Sequence, residues 1–352
     1  MATYDSVREL PLEIESYRLE PLEVQASHDF VRRTTVIHLR GGGHEGVGED
    51  VTYSPEDQEA LQAEGATLPL AGEHTLDSFS QLLDHLALFP AGPEMEAFRD
   101  YRRWAYESAA LDLALRQAGL SLAEAVGREP QPVSFVVSLR IEQPPRPDPI
   151  PLLLERYPTL RFKLDPTSEW DEALVAALAE TDAVDTVDLK GAYKGTPVDQ
   201  PGDPALYRLV AEGFPTAWIE DPDLNDGTGP ILEAHRDRIT WDAPIHSVAD
   251  IEGLPFPPRT LNFKPSRFGT VQRLFDAYDH CAEHGIAIYG GGQWELGPGR
   301  GQIQHLASLF HATTPNDVAP AAFNIRRLDP PPGLPTSPLD PQPSPTGFRW
   351  GD

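Results

Sequence analysis

Sulfur, long apolar runs and positive charge are scarce in this sequence, and each scarcity removes a class of protein. Cys281 is the only cysteine among 352 residues, so no intrachain disulfide can form, as expected of a chain kept in a reducing cytoplasm. No stretch of about 18 apolar residues is present to cross a bilayer. Residues 1–10 carry early acids where a signal peptide needs an apolar core. Lysine and arginine together number 28 against 55 acids, a net charge of -27. Phosphate backbones are bound by clustered bases, so nucleic acid is excluded as a partner, and the acid excess reads as a well-solvated surface. No His-Glu-x-x-His motif occurs among the histidines, and neither Ser108 nor Ser134 sits in a nucleophile elbow, so zincin and serine-hydrolase chemistry have no carrier.

What is there is enough apolar material for a large core, 40% of the residues, and 37 prolines that stiffen loops and the C-terminal stretch. Residues 12–53 read as strands, with Thr34 to Leu39 β-branched and closed by the turn signal Gly41-Gly42-Gly43. Helical spacing follows over 76–88 and 96–117, the latter with Trp104, Ser108, Leu111 and Leu115 on one stripe. Residues 1–130 therefore read as an α+β domain. From Val133 short β-rich runs alternate with helical runs, giving eight strand candidates, the last placed at 318–324. Repeated βα units imply parallel strands and right-handed crossovers, and eight imply a closed barrel over 131–325. Residues 326–352 form a Pro-rich segment whose two aromatics, Phe348 and Trp350, favour docking back on the body of the protein.

Five of the barrel segments end in a charge that a strand interior does not tolerate. In order these are Lys163, Asp188, Glu220, Asp242 and Lys264, at intervals of 25, 32, 22 and 22 residues. The C-terminal ends of barrel strands share one cup, so the series converges there from strands two to six. Three carboxylates on neighbouring strands repel one another unless a hard divalent cation holds them, and oxygen donors suit Mg²⁺, with Mn²⁺ as the alternative. Strands two and six face each other across a ring of eight. Lys163 and Lys264 then flank the cation as two bases, their amines brought towards neutrality by the cation and by each other.

This layout resembles the enolase superfamily, and in particular its muconate-lactonizing subgroup. Arg161-Phe162-Lys163 is similar to that subgroup's Lys-x-Lys, Trp218-Ile219-Glu220-Asp221-Pro222 to its fourth-strand ligand motif, and Lys264-Pro265-Ser266-Arg267 to its sixth-strand lysine. Gly46-Val47-Gly48-Glu49 and the helix bearing Asp112 resemble the superfamily's capping domain. The resemblance implies a (β/α)7β TIM-like barrel with an N-terminal α+β cap, to which the C-terminal segment 326–352 returns. It implies Mg²⁺-dependent removal of the α-proton of a small carboxylate through an enolate, with racemisation or epimerisation of an amino-acid derivative first. An o-succinylbenzoate-synthase-like lyase or a cycloisomerase is the alternative, and a silent metal and anion binder is the reading of another class. A homo-oligomer is implied as well. Arg161 is expected to bind a substrate carboxylate or to tune Lys163, and Glu295 to reach the substrate from strand seven. His28 and His44 are candidates for cap loops over the cup, and the glycine-rich start of a helix at 297–301 for an anion site. Lys190 stands where relatives often carry asparagine, Asp165-Pro166 directly follows the first base, and Asp317-Val318-Ala319 lacks the second acid that dipeptide epimerases use to bind a free amine.

Overall fold

A computed structural model of the chain describes residues 2–27, 30–141, 144–196, 198–325 and 330–351. His28 lies outside the described residues. The N-terminal part contains β1 (Pro11–Ile14), β2 (Ser16–Ser27), β3 (Phe30–Gly41), β4 (His44–Asp50) and β5 (Gly72–Thr75). β2, β3 and β4 form an antiparallel meander, and β1 pairs with β5. Gly42 and Gly43 make the two-residue β3–β4 turn with φ of 54° and 77°, a conformation that glycine adopts without strain. His44 follows this turn and is exposed.

The helices here are α1 (Pro55–Glu64), α2 (Leu76–Asp84), α3 (Phe98–Ala118) and α4 (Leu122–Val126). β4 lies directly on α3. A Cβ added at Gly46 would stand 2.3 Å from the carbonyl oxygen of Ala109, and one at Gly48 would stand 2.0 Å from that of Ala105. The two glycines of the Gly-Val-Gly-Glu motif are therefore what lets strand and helix backbones touch.

The second part opens with β6 (Val137–Leu139), β7 (Phe162–Leu164), β8 (Val184–Asp188), β9 (Trp218–Glu220) and β10 (Ile239–Thr240), all parallel and in sequence order. β11 (Thr260–Phe263) and β12 (Ala287–Gly290) are parallel neighbours. Asn262 donates its backbone N–H to the Trp241 carbonyl at 3.0 Å, joining β11 to the chain after β10. Parallel bridges from Asp317 to Gly291 and from Asn316 to Phe135 close the ring. Seven crossovers carry α5 (Pro149–Arg156), α6 (Glu172–Ala179), α7 (Pro204–Gly213), α8 (Gly229–Leu232), α9 (Val248–Glu252), the pair α10 (Pro265–Phe268) and α11 (Val271–His284), and α12 (Pro298–Phe310). This is the expected (β/α)7β barrel with its α+β cap.

The eighth stave differs from expectation. It is the pair Asn316-Asp317, and 318–324 does not extend it; after Pro320 the chain enters α13 (Ala321–Ile325). Phe323 on that helix seals the barrel bottom against Phe135 and Tyr157.

Two contacts bind the parts together. Glu49, at the end of β4, accepts hydrogen bonds from the backbone N–H groups of Leu296 (2.6 Å), Gly297 (3.0 Å) and Gly299 (3.0 Å). The anion at the start of α12 is thus a carboxylate of the cap, and the helix macrodipole favours it there. Asp112, fully buried on α3, accepts from the N–H of Val47 (2.9 Å) and of Phe348 (2.8 Å) and from the Arg349 guanidinium (2.8 Å). Phe348 stands edge-on to Trp104 with ring centroids 6.5 Å apart, so the last aromatic segment packs into the cap. No helix is long and apolar enough to cross a membrane among the described residues.

Candidate active site

The parallel register sets the site. Lys163 lies level with Thr186, so Asp188 stands two residues further along β8. Asp188 pairs with Glu220, and Glu220 with Thr240, so Asp242 stands two residues beyond β10. One carboxylate oxygen from each of Asp188, Glu220 and Asp242 falls within a group whose atoms lie within 4.8 Å of one another, and all three residues are fully buried. Lys163 arrives from the second stave and Lys264 from just past the end of the sixth.

Three buried carboxylates are costly without compensation. Lys163 bonds Glu220 and lies 3.0 Å from Asp188 Oδ2. Lys264 and Arg267 each lie 2.8 Å from an oxygen of Asp242, and the Tyr193 hydroxyl donates to the same carboxylate at 2.8 Å. Glu220 accepts from Tyr289 Oη at 2.5 Å and from Asn262 Nδ2 at 3.2 Å. Asp221, with φ of 46°, accepts the backbone N–H of Asp242 (2.8 Å) and of Ala243 (2.9 Å), which fixes the turn that presents Asp242.

Burial pushes every one of these acids up, and the outcome depends on its cations. Lys163 and Lys190 hold Asp188 below the usual carboxylate range, and Arg267 and Lys264 do the same for Asp242. Glu220 ends well above its ordinary value, because burial and the Asp188 charge together exceed what Lys163 offsets. For Lys163, burial opposes the charged form, but Asp188 and Glu220 outweigh it and raise the amine well above its ordinary value. The amine lowering expected from the sequence therefore depends on a cation that takes up the acids' charge. The donor set suits one: three hard oxygens, one of them under-compensated, at the mouth of a parallel barrel.

Two expected substrate contacts lie elsewhere. Arg161 precedes β7, and its Nε hydrogen-bonds both oxygens of Asp185 at 2.8 Å while Nη1 donates to the Asp182 carbonyl, also at 2.8 Å. It lines a cavity of about 280 Å³ with Ser134, Thr216 and Thr313 at the N-terminal end of the barrel, opposite the acids. Spacing suggested a Lys-x-Lys pair, but β7 begins at Phe162 and leaves Arg161 below the strand. Glu295 turns back into the seam between cap and barrel, where it accepts the Gln293 N–H (2.6 Å) and pairs with Arg300 (3.1 Å). Tyr193, Tyr289, Asn262 and Arg267, which contact the acids, were not singled out from sequence. Tyrosine and asparagine in short apolar runs carry no signal apart from core; only the Lys-Pro-Ser-Arg run marks Arg267.

The family described as "Domain of unknown function (DUF8230)" matches through its N-terminal domain at residues 5–125 and its C-terminal domain at 129–325. The chain belongs to this family. Solved members of the enolase superfamily share its fold, among them one from Enterococcus faecalis V583 with a TM-score of 0.63 at 21% identity and the muconate lactonizing enzyme of Pseudomonas putida with a TM-score of 0.65 at 18% identity. This DUF8230 protein is 29% identical over 318 residues to an N-succinylamino acid racemase of Amycolatopsis sp, covering 85% of this chain and 82% of the relative. It is 29% identical over 226 residues to the o-succinylbenzoate synthase of Bacillus subtilis (strain 168), covering 60% and 57%. The crystal structure of a dipeptide epimerase from Methylococcus capsulatus complexed with Mg ion shares the fold with a TM-score of 0.65, at 22% identity over 87% of this chain and 90% of that one.

Proposed function

We propose that this DUF8230 protein is a Mg²⁺-dependent isomerase that moves the α-proton of an N-acylated amino acid or similar carboxylate. Asp188, Glu220 and Asp242 are the metal ligands, and Mn²⁺ is the alternative ion. The observation that carries this reading is the cluster of three buried carboxylates with a lysine reaching it from each of two opposed staves. Bound there, the cation supplies positive charge beside a substrate carboxylate and so acidifies the proton on the neighbouring carbon. Lys163 takes that proton on one face, and Lys264 delivers one to the other face. Arg267 and Tyr193 hold Asp242 still while Lys264 moves, and Tyr289 and Asn262 do the same for Glu220. The residues divide into a cap at 1–130, a catalytic barrel at 131–325 and the segment 326–352. We further assign the protein to the cytoplasm, supported by its single cysteine, and to a homo-oligomer.

A lyase is the second reading, favoured by the similarity to an o-succinylbenzoate synthase. In it Lys163 alone is the base and Lys264 serves as a fixed cation. Incubation with Mg²⁺ and N-acyl amino acids in D₂O separates the two. Racemisation gives deuterium at the α-carbon with inversion, and exchange without inversion leaves one active base. Lys163→Ala is expected to abolish exchange from at least one enantiomer, and full exchange in that variant removes Lys163 from the role. Metal binding without exchange from any acid would mark a silent binder.

A further inference from the structure

The two lysines of the cup are held differently. Lys163 lies inside β7, level with Ser138 of β6 on one side and Thr186 of β8 on the other, so two ladders fix its backbone. The β11–β12 ladder ends at Phe263, and Lys264 lies one residue beyond it, at the cap position of α10. Its backbone is fixed through the turn that follows, where Arg267 donates its N–H to the Lys264 carbonyl at 2.9 Å.

The backbones of that turn and of the Asp242 turn meet on one side chain, the half-buried His246. Its Nδ1 lies 3.0 Å from the carbonyl oxygen of Arg267, and its Nε2 lies 3.1 Å from that of Ala243. Carbonyl oxygens only accept, so a ring that bonds both carries a proton on each nitrogen. The carboxylate of Asp100, on the first turn of α3 in the cap, stands 3.6 Å from Nδ1 and balances that charge. Burial pushes the Asp100 carboxyl up, but His246 and Arg273 together hold it below its ordinary range. The chain leaving α10 passes directly against the same carboxylate: a Cβ added at Gly269, with φ of 68°, would stand 2.5 Å from Asp100 Oδ1. The backbone of His246 is itself anchored, its N–H donating to Asp250 Oδ2 at 3.1 Å.

The two turns depend on this ring unequally. Asp221 already accepts the N–H groups of Asp242 and Ala243, so the Asp242 turn has a hold of its own. Cutting the bridge takes the ring donor from the Arg267 carbonyl, and Lys264 is hydrogen-bonded to that residue.

We infer that His246 is a positioning residue that acts through the Arg267 peptide to hold Lys264 over one face of the substrate, and that Lys163 on the other face is independent of it. This rests on the proton-transfer reading above and adds to it a support that serves one base alone.

His246→Phe keeps the bulk of the ring and removes both donors. The measurement is deuterium uptake at the α-carbon of N-acetyl-L-valine and of N-acetyl-D-valine in D₂O, at Mg²⁺ concentrations that saturate each variant. Lys264→Ala first identifies the enantiomer that Lys264 serves. A catalytic group displaced by about 1 Å loses up to about a hundred-fold in rate, so His246→Phe is expected to slow exchange from that enantiomer about ten-fold or more and to leave the other within about two-fold. A merely structural role would lower both together. Equal losses, or no loss, overturn the inference and leave the proton-transfer reading in place. Should His246→Phe fail to fold, His246→Gln, which keeps an amide donor, carries the same comparison with the same asymmetry expected. Wild-type protein that exchanges neither enantiomer, or one alone, removes the two-base reading and this inference with it.

Discussion

Glu220 is the acid with least compensation and most neutral support. Tyr289 Oη and Asn262 Nδ2 address its two oxygens from β12 and β11, the far side of the ring from Lys163. Groups that orient a metal-binding carboxylate change affinity by about ten-fold or more when removed. Tyr289→Phe is therefore expected to weaken Mg²⁺ binding about ten-fold by calorimetry with little effect on folding, and an unchanged Kd would show that Glu220 needs no such anchor. The five charges of the cup were legible in the sequence because each violates a local rule, a formal charge closing an apolar strand. The structure places Arg161 and Glu295 in other contacts for the complementary reason. Two-residue spacing says which face a side chain takes only once the strand has begun, and β7 begins after Arg161. Glu295 carries a charge in a glycine-rich loop, where either direction is open, and the guanidinium of Arg300 decides it.

α12 is the element on which cap and barrel meet. At its start Glu49 satisfies three N–H groups that the helix itself cannot. Glu49→Ala leaves them unpaired, that of Gly299 buried and those of Leu296 and Gly297 half-buried, and a loss of about 3 kcal/mol in urea unfolding is expected. A loss below about 0.5 kcal/mol would mean that water replaces the carboxylate. α12 also carries His305, and His311 follows directly after it. Burial holds both imidazoles down at about 4. In the unfolded chain they titrate near 6.5, so their neutral forms contribute full stability above that pH. The contribution falls away as pH drops from about 6.5 towards 4, by at most about 3 kcal/mol for each residue. Unfolding midpoints measured between pH 7.5 and 4.5 should decline across this window, and less steeply in His305→Phe. His311 ties α12 to the closing stave through Asn316 Oδ1 (2.6 Å) and lies 3.2 Å from Tyr278 Oη. That stave was invisible in sequence because two bridging residues make no run of apolar or β-branched type. The longer strands and helices announced themselves by periodicity, and the Gly41-Gly43 turn by chemistry.

At the scale of the whole molecule the net charge of -27 dominates. Self-repulsion of this size destabilises the compact state and is screened over about 10 Å at 0.1 M salt. Raising KCl from 0.05 to 1 M is expected to raise the melting temperature by several degrees, and equal concentrations of chloride as the potassium or sodium salt should act alike. A flat response would mean that the surface acids are spaced too widely to matter.

The shared carboxylate of Asp112 has a consequence for biosynthesis. Its partner Phe348 is added to the growing chain 236 residues later. Until then the buried acid of α3 has part of its hydrogen bonding unmade. A nascent chain that has passed the barrel but stalls short of Phe348 is thus marked by an incompletely paired carboxylate on α3, a local defect open to proteolysis.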